Sequence, residues 1–437
     1  MSGEGPSPRV AVLARAVFPI HGYGGLERHV HDLVHHLLER GLRVTLITQP
    51  PSPTAPTSDQ VGQAFDVLRH PNLTIRWVRY RTFPGAGRRG TTVLDRSTAY
   101  PVFGERAGRL AAALASEGEV DIVHGLGASA LGYARRRRRG DPGLVPFVFN
   151  PQGLEEFGAT APERAKLKRW AYLPLRAAVR ACARAADRVI ATDRSLEPTV
   201  RTHLDVEPSR IRLIPNAVDL ETIDRLAGPA DGQRVRTLLG LGAQQPVLLS
   251  VGRLEQNKGF HTLLAPLASL ADDAPAWPDA AGSHASGQDG WRWVVIGDGP
   301  LAPKLRAELA RTGLGSRVAL LGRLGDADLH AWYEAATLFL HPGLYEGSSL
   351  VTLEAMAHRR AVVGTTAGGI PDKVRPGING WLVAPGCAEA TRAALVEALA
   401  DRERLHRMGL QGRAIVEHEF SWTAATTRLL EVYAELT

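Results

Sequence analysis

Short apolar segments alternate with helical stretches along most of the chain, and this alternation limits the fold more than any other feature of the sequence. Each apolar segment suits one buried strand, and each intervening stretch can return the chain to the same edge of a sheet. The pattern predicts parallel β-sheets covered by helices. The predicted strands are 10–13, 44–48, 121–124, 145–149, 188–192 and 211–214, followed by 247–251, 293–296, 318–321, 338–340 and 361–364.

The predicted strands form two series, so we expect an α/β fold with two doubly wound, Rossmann-like domains. With 437 residues, the chain is long enough for two or three domains. We expect an N-terminal domain over 1–218, an interdomain linker over 219–245 and a C-terminal domain over 246–420. The linker prediction rests on the polar, glycine-containing composition of 231–245.

Composition limits the class of protein further. Two cysteines cannot supply a disulfide framework or a four-thiolate zinc site. No apolar run reaches the 18 residues of a membrane-spanning helix, and residues 1–9 lack the apolar core of a signal peptide. We therefore expect a cytoplasmic protein.

The chain is basic, with a net charge of +7 and an arginine run at 135–139. The charge could serve an anionic surface or a phosphorylated substrate. It could equally be a solvated face with the run in a loop, and we favour this second interpretation. Nucleic acid is not an expected partner, because no aromatic residues interleave with the arginines.

Glycine pairs follow strands in both halves of the chain. Gly24 and Gly25 open a predicted helix, where a close backbone approach and free N–H groups suit an anion. The same residues could form a plain turn. The G-x-G-x-x-G pattern of dinucleotide-binding oxidoreductases is absent, and the segment 296–300 repeats the strand-then-glycine pattern around Gly297.

Two cations follow the strand at 247–251. Arg253 and Lys258 would lie at the carboxyl end of that strand, which is the edge where doubly wound sheets bind ligands. Arginine can bind phosphate oxygens in a bidentate manner, and lysine supplies a compact charge. The alternative is two surface cations beside a loop.

The most informative segment is 346–354. Glu346 and Glu354 are eight residues apart, just over two helical turns, so both could face one ligand. Residues 347–350 open the predicted helix, and their N–H groups could hold a phosphate. Alternatively, Glu354 lies on a helix surface and Glu346 is a helix-start charge.

The glycine-rich loop 366–373 adds another phosphate-binding candidate, and together these loops indicate a nucleotide-type ligand in an interdomain cleft. Asp326 and Asp328 have the D-x-D spacing that some sugar transferases use for a divalent metal ion. First-turn acids of a helix explain them better. We therefore predict no metal site.

Taken together, these motifs resemble glycosyltransferase family 4, whose members are retaining enzymes of the GT-B fold. The similarity runs along nearly the whole chain, through 24–27, 214–219, 252–253 with 258–259, 297–300, 346–357, 368–371, 379–383 and 420–422. The resemblance implies two facing domains and a C-terminal helix, 421–437, that returns to the N-terminal domain. It also implies transfer of a hexose-type sugar from a nucleoside diphosphate sugar to a hydroxyl acceptor, without a metal or other cofactor.

The resemblance assigns roles to individual residues. Arg253 and Lys258 would neutralise the donor diphosphate, Glu346 would bind hydroxyl groups of the donor sugar, and Glu354 would bind the ribose. Glu346, His124, Arg253 and Lys258 are the implied catalytic residues. The implied donor-binding residues are Gly24, Gly25, Arg253, Lys258, Gly297, Arg323, Leu324, Glu346, Gly347, Ser348, Ser349, Leu350 and Glu354, with Arg323 and Leu324 bordering the base.

Three positions depart from the family pattern. His124 is followed by Leu126 where relatives often have a second histidine, and Gln152 stands where many have histidine. Residues 359–361 replace a more usual Gly-x-Pro. His124 could lie near the reaction centre, or it could be a strand-end histidine bound to backbone.

Several alternatives stay open from the sequence. A catalytically silent nucleotide-sugar-binding protein or a nucleotide-sugar epimerase could share this fold. The acceptor could be a lipid, a small molecule or a polysaccharide. The predicted helix at 162–186 is basic and partly apolar and could touch an anionic membrane, although a solvated basic face is the simpler interpretation.

Overall fold

The computed structural model describes residues 8–22, 24–51, 64–81, 92–152, 154, 157, 170–242, 244–273 and 290–437. The chain divides into two compact units. The first comprises Met1–Pro215 together with Ala425–Thr437, and the second comprises Asn216–Ala424.

The first unit contains a parallel seven-stranded sheet in the order β3-β2-β1-β4-β5-β6-β7. Its strands are β1 Arg9–Leu13, β2 Arg43–Thr48, β3 Leu73–Trp77, β4 Ile122–Leu126, β5 Phe147–Asn150, β6 Arg188–Ala191 and β7 Ile211–Leu213. Its helices are α1 Gly25–Glu39, α2 Ala64–Val67, α3 Thr92–Ser116, α4 Leu131–Arg139, α5 Leu173–Ala185 and α6 Glu197–Leu204, with 3₁₀ turns at Gly127–Ala130 and Pro208–Arg210.

The second unit contains a parallel six-stranded sheet in the order β10-β9-β8-β11-β12-β13. Its strands are β8 Val247–Val251, β9 Arg292–Ile296, β10 Val318–Gly322, β11 Leu338–His341, β12 Ala361–Thr365 and β13 Gly380–Val383. Its helices are α7 Leu220–Leu226, α8 Pro229–Leu238, α9 Leu264–Asp273, α10 Ala302–Arg311, α11 Asp326–Ala335, α12 Leu350–Ala357, α13 Ala388–Ala400 and α14 Arg402–Ile415. Short 3₁₀ turns cover Gln256–Lys258, Phe260–Leu263 and Leu314–Ser316, and Val416–Phe420 is a π-helical turn.

The central strands are mostly apolar because helices cover both faces of each sheet. Every residue of β4, β8 and β12 is buried. Helix α1 shows the complementary pattern, with its buried leucines and valines at helical spacing. In both sheets the strand order reverses between the first and fourth strands of the unit, β1 and β4 or β8 and β11. Ligands of doubly wound folds bind at such a reversal.

The last helix, α15, covers Trp422–Ala434. It begins in the second unit and continues in the first, because the chain from Ala425 onward belongs to the first unit. Arg40 donates to Thr427 Oγ1 at 3.0 Å. Arg188 and Arg212 both bind Glu435 just beyond the helix, at 2.9 and 2.6 Å. The α/β class, the two parallel sheets and the returning C-terminal helix agree with the predicted fold.

The structure differs from the sequence prediction in three segments. Strands β3 and β13 were not predicted; β3 is an edge strand in which apolar and polar residues alternate and none is fully buried. Residues 219–245 do not form an open linker, because α7 and α8 pack in the second unit through Ile223 and Val235. The second unit also starts at Asn216 and ends at Ala424, rather than at 246 and 420.

The arginine run is the last turn of α4 rather than a loop. Arg135 binds Glu105 at 2.7 Å and Arg137 binds Asp187 at 2.8 Å. Cations at a helix C-terminus are favoured by the helix dipole. Local structure therefore accounts for part of the run without an external anion.

Two residues of the segment 359–361 can be described from their conformation and contacts. Arg359 has φ of 59°, a left-handed conformation that favours glycine over arginine. Arg360 binds the Glu334 carboxylate at 3.3 Å and donates to the carbonyl of Ala336 at 2.8 Å. The middle residue of the segment, Arg360, is therefore held by contacts of its own, whereas Ala361 stands at the proline position of the pattern.

Candidate functional site

Loops at the carboxyl edge of the second sheet pack directly against one another. Gly297, after β9, has φ of 137°, and a Cβ there would overlap the carbonyl oxygen of Gly252, after β8. Gly368, after β12, has φ of 54°, and a Cβ there would overlap the carbonyl oxygen of Glu346, after β11. Glycine is required at both positions by conformation and by space, and these close approaches join the four loops in two pairs.

The centre of this edge is a buried ionic cluster. Lys258 Nζ lies 2.8 Å from both carboxylate oxygens of Glu346. His341, the last residue of β11, places Nε2 3.0 Å from Glu346 Oε2. The side chains of Glu346 and His341 are only 8% and 5% exposed, whereas that of Lys258 is 22% exposed. The structure thus brings together two predicted site residues, Lys258 and Glu346.

Glu346 is held as a carboxylate. Burial alone would raise its pKa, but the hydrogen bond and charge of His341 and the ammonium group of Lys258 together lower it to about 2. A buried carboxylate with a compensating cation is a strong acceptor for hydroxyl donors. The electrostatics therefore fit the predicted role of Glu346 in binding sugar hydroxyl groups.

Arg253 lies on the same loop as Lys258 but is mostly exposed. Its guanidinium group is 3.1 Å from Glu255 Oε2, and its side chain is 73% exposed. An exposed guanidinium group can reorient towards an anion at little cost.

The segment 347–350 is a loop that leads into α12, rather than its first turn. Ser349 precedes the helix, Leu350 begins it, and Gly347 and Ser348 lie upstream. Ser349 Oγ accepts a hydrogen bond from Thr352 Oγ1 at 2.9 Å. The first N–H groups of any helix lack intrahelical partners and suit an anion.

Glu354 lies on α12 and is oriented by a neighbouring aromatic residue. Tyr333 OH donates to Glu354 Oε2 at 2.8 Å. The Tyr333 ring stacks on His358 at 5.5 Å with an interplanar angle of 6°. Burial and the charge of Glu354 raise the pKa of Tyr333, so its hydroxyl remains a donor.

Two further predicted donor-binding residues follow β10. Arg323 is exposed and Leu324 is half-buried, directly after the strand ends at Gly322. They therefore lie at the same carboxyl edge as the ionic cluster.

The first unit holds the other predicted residues. Gly24 precedes α1 and Gly25 begins it; both are exposed, and a Cβ at Gly25 would meet no atom within 4 Å. His124 lies within β4, two residues before its end, rather than at the end of the strand. Its Nδ1 is 2.7 Å from Tyr433 OH on α15, so its partner is a side chain rather than backbone.

The sequence interpretation missed three residues near the predicted ones: His341, Tyr433 and Lys373. Lys373 is fully buried, with Nζ 3.1 Å from the carbonyl oxygen of Gly369 and 3.4 Å from Ser348 Oγ. Its place in a glycine-rich loop was visible in the sequence, but nothing local reveals burial. Gln152 occupies a left-handed conformation with φ of 64° just after β5.

Both halves of the chain match known glycosyltransferase families, and curated relatives match along most of its length. Residues 23–222 match the family described as Glycosyltransferase Family 4, and residues 245–401 match the one described as Glycosyl transferases group 1. Alpha-maltose-1-phosphate synthase of Mycolicibacterium smegmatis is 30% identical over 308 residues, covering 67% of this chain and 73% of that protein. D-inositol 3-phosphate glycosyltransferase of Mycobacterium ulcerans is 29% identical over 448 residues, covering 97% and 86%.

Solved structures share the fold. Sucrose-phosphate synthase from Thermosynechococcus elongatus has a TM-score of 0.71 at 24% identity, covering 98% of this chain and 99% of that one. Anabaena Alr3699/HepE in complex with UDP has a TM-score of 0.69 at 20% identity, covering 98% and 100%. Two doubly wound parallel sheets with these neighbours define the GT-B fold. The chain belongs to glycosyltransferase family 4.

The first prediction concerns acid stability. Because the folded-state pKa of Glu346 is depressed to about 2, its ionisation stabilises the fold above pH about 4.5, and this is lost as pH falls towards 2. Glu346→Gln should reduce the free energy of unfolding by about 2–3 kcal/mol at pH 7, and by about 1 kcal/mol less than that at pH 4. Urea denaturation at both pH values measures the difference.

Glu403→Gln is the matched control, because the Glu403 side chain is 91% exposed. It should change stability by less than about 0.5 kcal/mol at either pH. If the cost of Glu346→Gln were the same at pH 7 and pH 4, the depressed pKa would be wrong.

The second prediction separates backbone strain from loop packing. Gly368→Ala and Gly377→Ala both place a side chain at positive φ, 54° and 79°, which costs about 1–2 kcal/mol. Only the alanine at 368 would also overlap the Glu346 carbonyl, since a Cβ at Gly377 meets no atom within 4 Å. We expect Gly368→Ala to weaken nucleotide binding at least tenfold and Gly377→Ala to leave it within about twofold. Calorimetric titration measures both, and equal effects would contradict the packing of these two loops.

Proposed function

We propose that this chain is a retaining glycosyltransferase that moves a hexose-type sugar from a nucleoside diphosphate sugar to a hydroxyl acceptor. The observation that carries the proposal is the Lys258–Glu346 pair, in which both N–O distances are 2.8 Å. Lys258 lies in the turn after β8, and Glu346 lies in the loop before α12. This cluster offers a cation for phosphate and an ionised carboxylate for sugar hydroxyl groups in one place.

Departure of a nucleoside diphosphate develops negative charge on the leaving phosphate. Fixed cations and helix N-termini directed at that charge lower the barrier. Lys258 has three N–H donors, so its ammonium group can bind a phosphate oxygen without abandoning Glu346. Arg253 supplies a second, more exposed cation on the same loop. In this proposal the leaving phosphate assists the acceptor hydroxyl on the same sugar face, so that the anomeric configuration is retained and no side-chain base is needed.

The names of structural neighbours support the choice of donor. Anabaena Alr3699/HepE structures hold UDP, UDP with glucose, and UDP-glucose, and a starch synthase IV structure from Arabidopsis thaliana holds ADP. The relatives are named for a maltose phosphate and an inositol phosphate. We therefore propose a uridine or adenosine diphosphate hexose as the first donor to test. The acceptor class stays open among lipids, small molecules and polysaccharides.

We also propose that the reaction needs no metal ion, because Lys258 and Arg253 supply the charge at the diphosphate. Asp326 and Asp328 lie in the first turn of α11, and Asp328 binds Arg234 at 2.9 Å. Within the described residues, one group has metal-type ligand spacing: His35, His36 and Glu39 on α1.

The proposed location is the cytoplasm. No helix in the described part of the chain is long and apolar enough to cross a membrane. Of the basic helix predicted at 162–186, residues 162–169 lie outside the described residues. In α5, Arg176 and Arg180 stack over Phe157, and Arg184 binds Asp205 at 3.2 Å. These contacts favour a packed basic face over a membrane-binding one.

The third prediction tests the donor site. UDP, GDP, ADP, dTDP, CDP and their sugars are screened by thermal shift, with EDTA present. Ligand at a hundred times its Kd should stabilise the wild type by about 2.7 kcal/mol. We expect one base to do so and expect Arg253→Ala/Lys258→Ala to abolish the shift.

Lys304→Ala/Arg306→Ala is the matched control, since it removes the same charge from the exposed face of α10. It should keep the full shift. If the Arg253→Ala/Lys258→Ala variant were still stabilised by the nucleotide, neither residue would be needed to bind the sugar-nucleotide donor. A shift that appears only without EDTA would contradict metal independence.

The fourth prediction concerns the product. Incubation of the stabilising donor with a panel of phosphorylated and free polyols, maltooligosaccharides and lipid extracts should give a glycoside. NMR of its anomeric proton should show the same configuration as the donor. An inverted product would contradict the retaining mechanism, binding without turnover would indicate a silent sugar-nucleotide-binding protein, and a new nucleotide sugar from donor alone would indicate an epimerase.

A further inference from the structure

The last turn of α1 carries two histidines and a glutamate whose side chains converge. His35 Nε2 lies 3.4 Å from Glu39 Oε1, and His36 Nδ1 lies 2.7 Å from Glu39 Oε2. One nitrogen of each histidine and one carboxylate oxygen of Glu39 all lie within 4.8 Å of one another. The reaction proposed above uses none of these three residues.

Helical spacing explains why the three side chains meet. Successive residues of an α-helix are about 100° apart around the axis, so Glu39 lies about 40° from His35 and about 60° from His36, one turn further on. Its carboxylate is therefore placed between the two histidines, as the i,i+3 and i,i+4 neighbour relations require. The buried leucines and valines of α1 hold this part of the backbone in place.

Ring contacts restrict the two imidazoles further. The His35 ring stacks on that of His31, with centroids 6.3 Å apart and planes at 27°. The rings of His35 and His36 are 4.8 Å apart. The side chains of His36, His35 and Glu39 are 14%, 32% and 50% exposed. The group is therefore ordered by its own contacts and is still accessible to an ion from solvent.

The donor set suits a transition metal ion. Two imidazole nitrogens and one carboxylate bind zinc in sites that keep a fourth position for water. Ligand atoms about 2.0–2.1 Å from a tetrahedral zinc ion are about 3.3–3.4 Å apart, which matches the 3.4 Å between His35 Nε2 and Glu39 Oε1. The helix dipole also favours a cation at the C-terminal end of α1. Magnesium prefers oxygen ligands, so this set selects against it.

We propose that His35, His36 and Glu39 form a binding site for a zinc-class transition metal ion, with a fourth coordination position open to solvent. The bound ion replaces the contacts between Glu39 and the two histidines by three metal–ligand bonds. The site lies at the end of α1 opposite to Gly24 and Gly25, about 20 Å along a helix of 15 residues. It is therefore separate from the predicted donor contacts on this helix, and it does not depend on the function proposed above.

The test is calorimetric titration of zinc chloride into metal-free protein that carries no histidine tag. We expect one equivalent of zinc to bind the wild type and to raise its melting temperature, and EDTA to reverse the shift. Glu39→Gln and His35→Gln should each weaken zinc affinity at least about tenfold. Loss of a ligand costs no less than loss of a residue that only orients one, which is about 10–100-fold. Magnesium should cause no shift.

Glu403→Gln and His406→Gln are the matched controls, because they remove the same groups from exposed positions on α14. Both should bind zinc as the wild type does. Cobalt provides a second measurement, since its visible absorption reports coordination: the bands of a low-coordinate site should appear in the wild type and be lost in Glu39→Gln.

Two results would overturn the site. If Glu39→Gln and His35→Gln bound zinc as tightly as the wild type, the metal would be an adventitious ion only. If the wild type bound no equivalent of zinc, the three side chains would be held by hydrogen bonds and ion pairs alone. Because the titration contains no sugar nucleotide, its outcome is independent of the proposed glycosyl transfer.

Discussion

Parallel strand pairing is the constraint on which the rest of the structure depends. Every strand in both sheets runs in the same direction as its neighbours, so each strand ends at the same edge of its sheet. Loops that carry functional side chains and are far apart in sequence therefore lie close together. Their proximity follows from the order and direction of the strands. Lys258 and Glu346 are 88 residues apart, yet their side chains are in contact because β8 and β11 are adjacent.

The second constraint is that buried carboxylates need cationic partners. Glu346 is compensated by Lys258 and His341, and Glu334 by Arg360 and His358. A buried carboxylate without such partners would protonate or destabilise the fold. Arg360 thus forms part of a local electrostatic arrangement around Glu334.

The two-sheet architecture was predictable from the sequence because buried parallel strands are apolar along their whole length. Edge strand β3 was not, since its half-exposed residues lack that signal. The prediction of a linker over 219–245 was wrong because the polar residues of this segment form the outer faces of two short helices. Ile223 and Val235 of the same helices face the core. Arg253, Lys258 and Glu346 were visible as polar residues that follow apolar strands. His341 and Tyr433 were hidden, because a single histidine after a strand and a tyrosine in a helix carry no local mark of their partners.

The first unit is discontinuous in sequence, since its last segment begins at Ala425. Tyr433 and Glu435, which bind His124, Arg188 and Arg212, are synthesised after the whole of the second unit. Domains tend to fold in order of synthesis, but here the first unit stays incomplete until the second has been made. A chain that stopped before Ala425 would therefore lack part of its first unit.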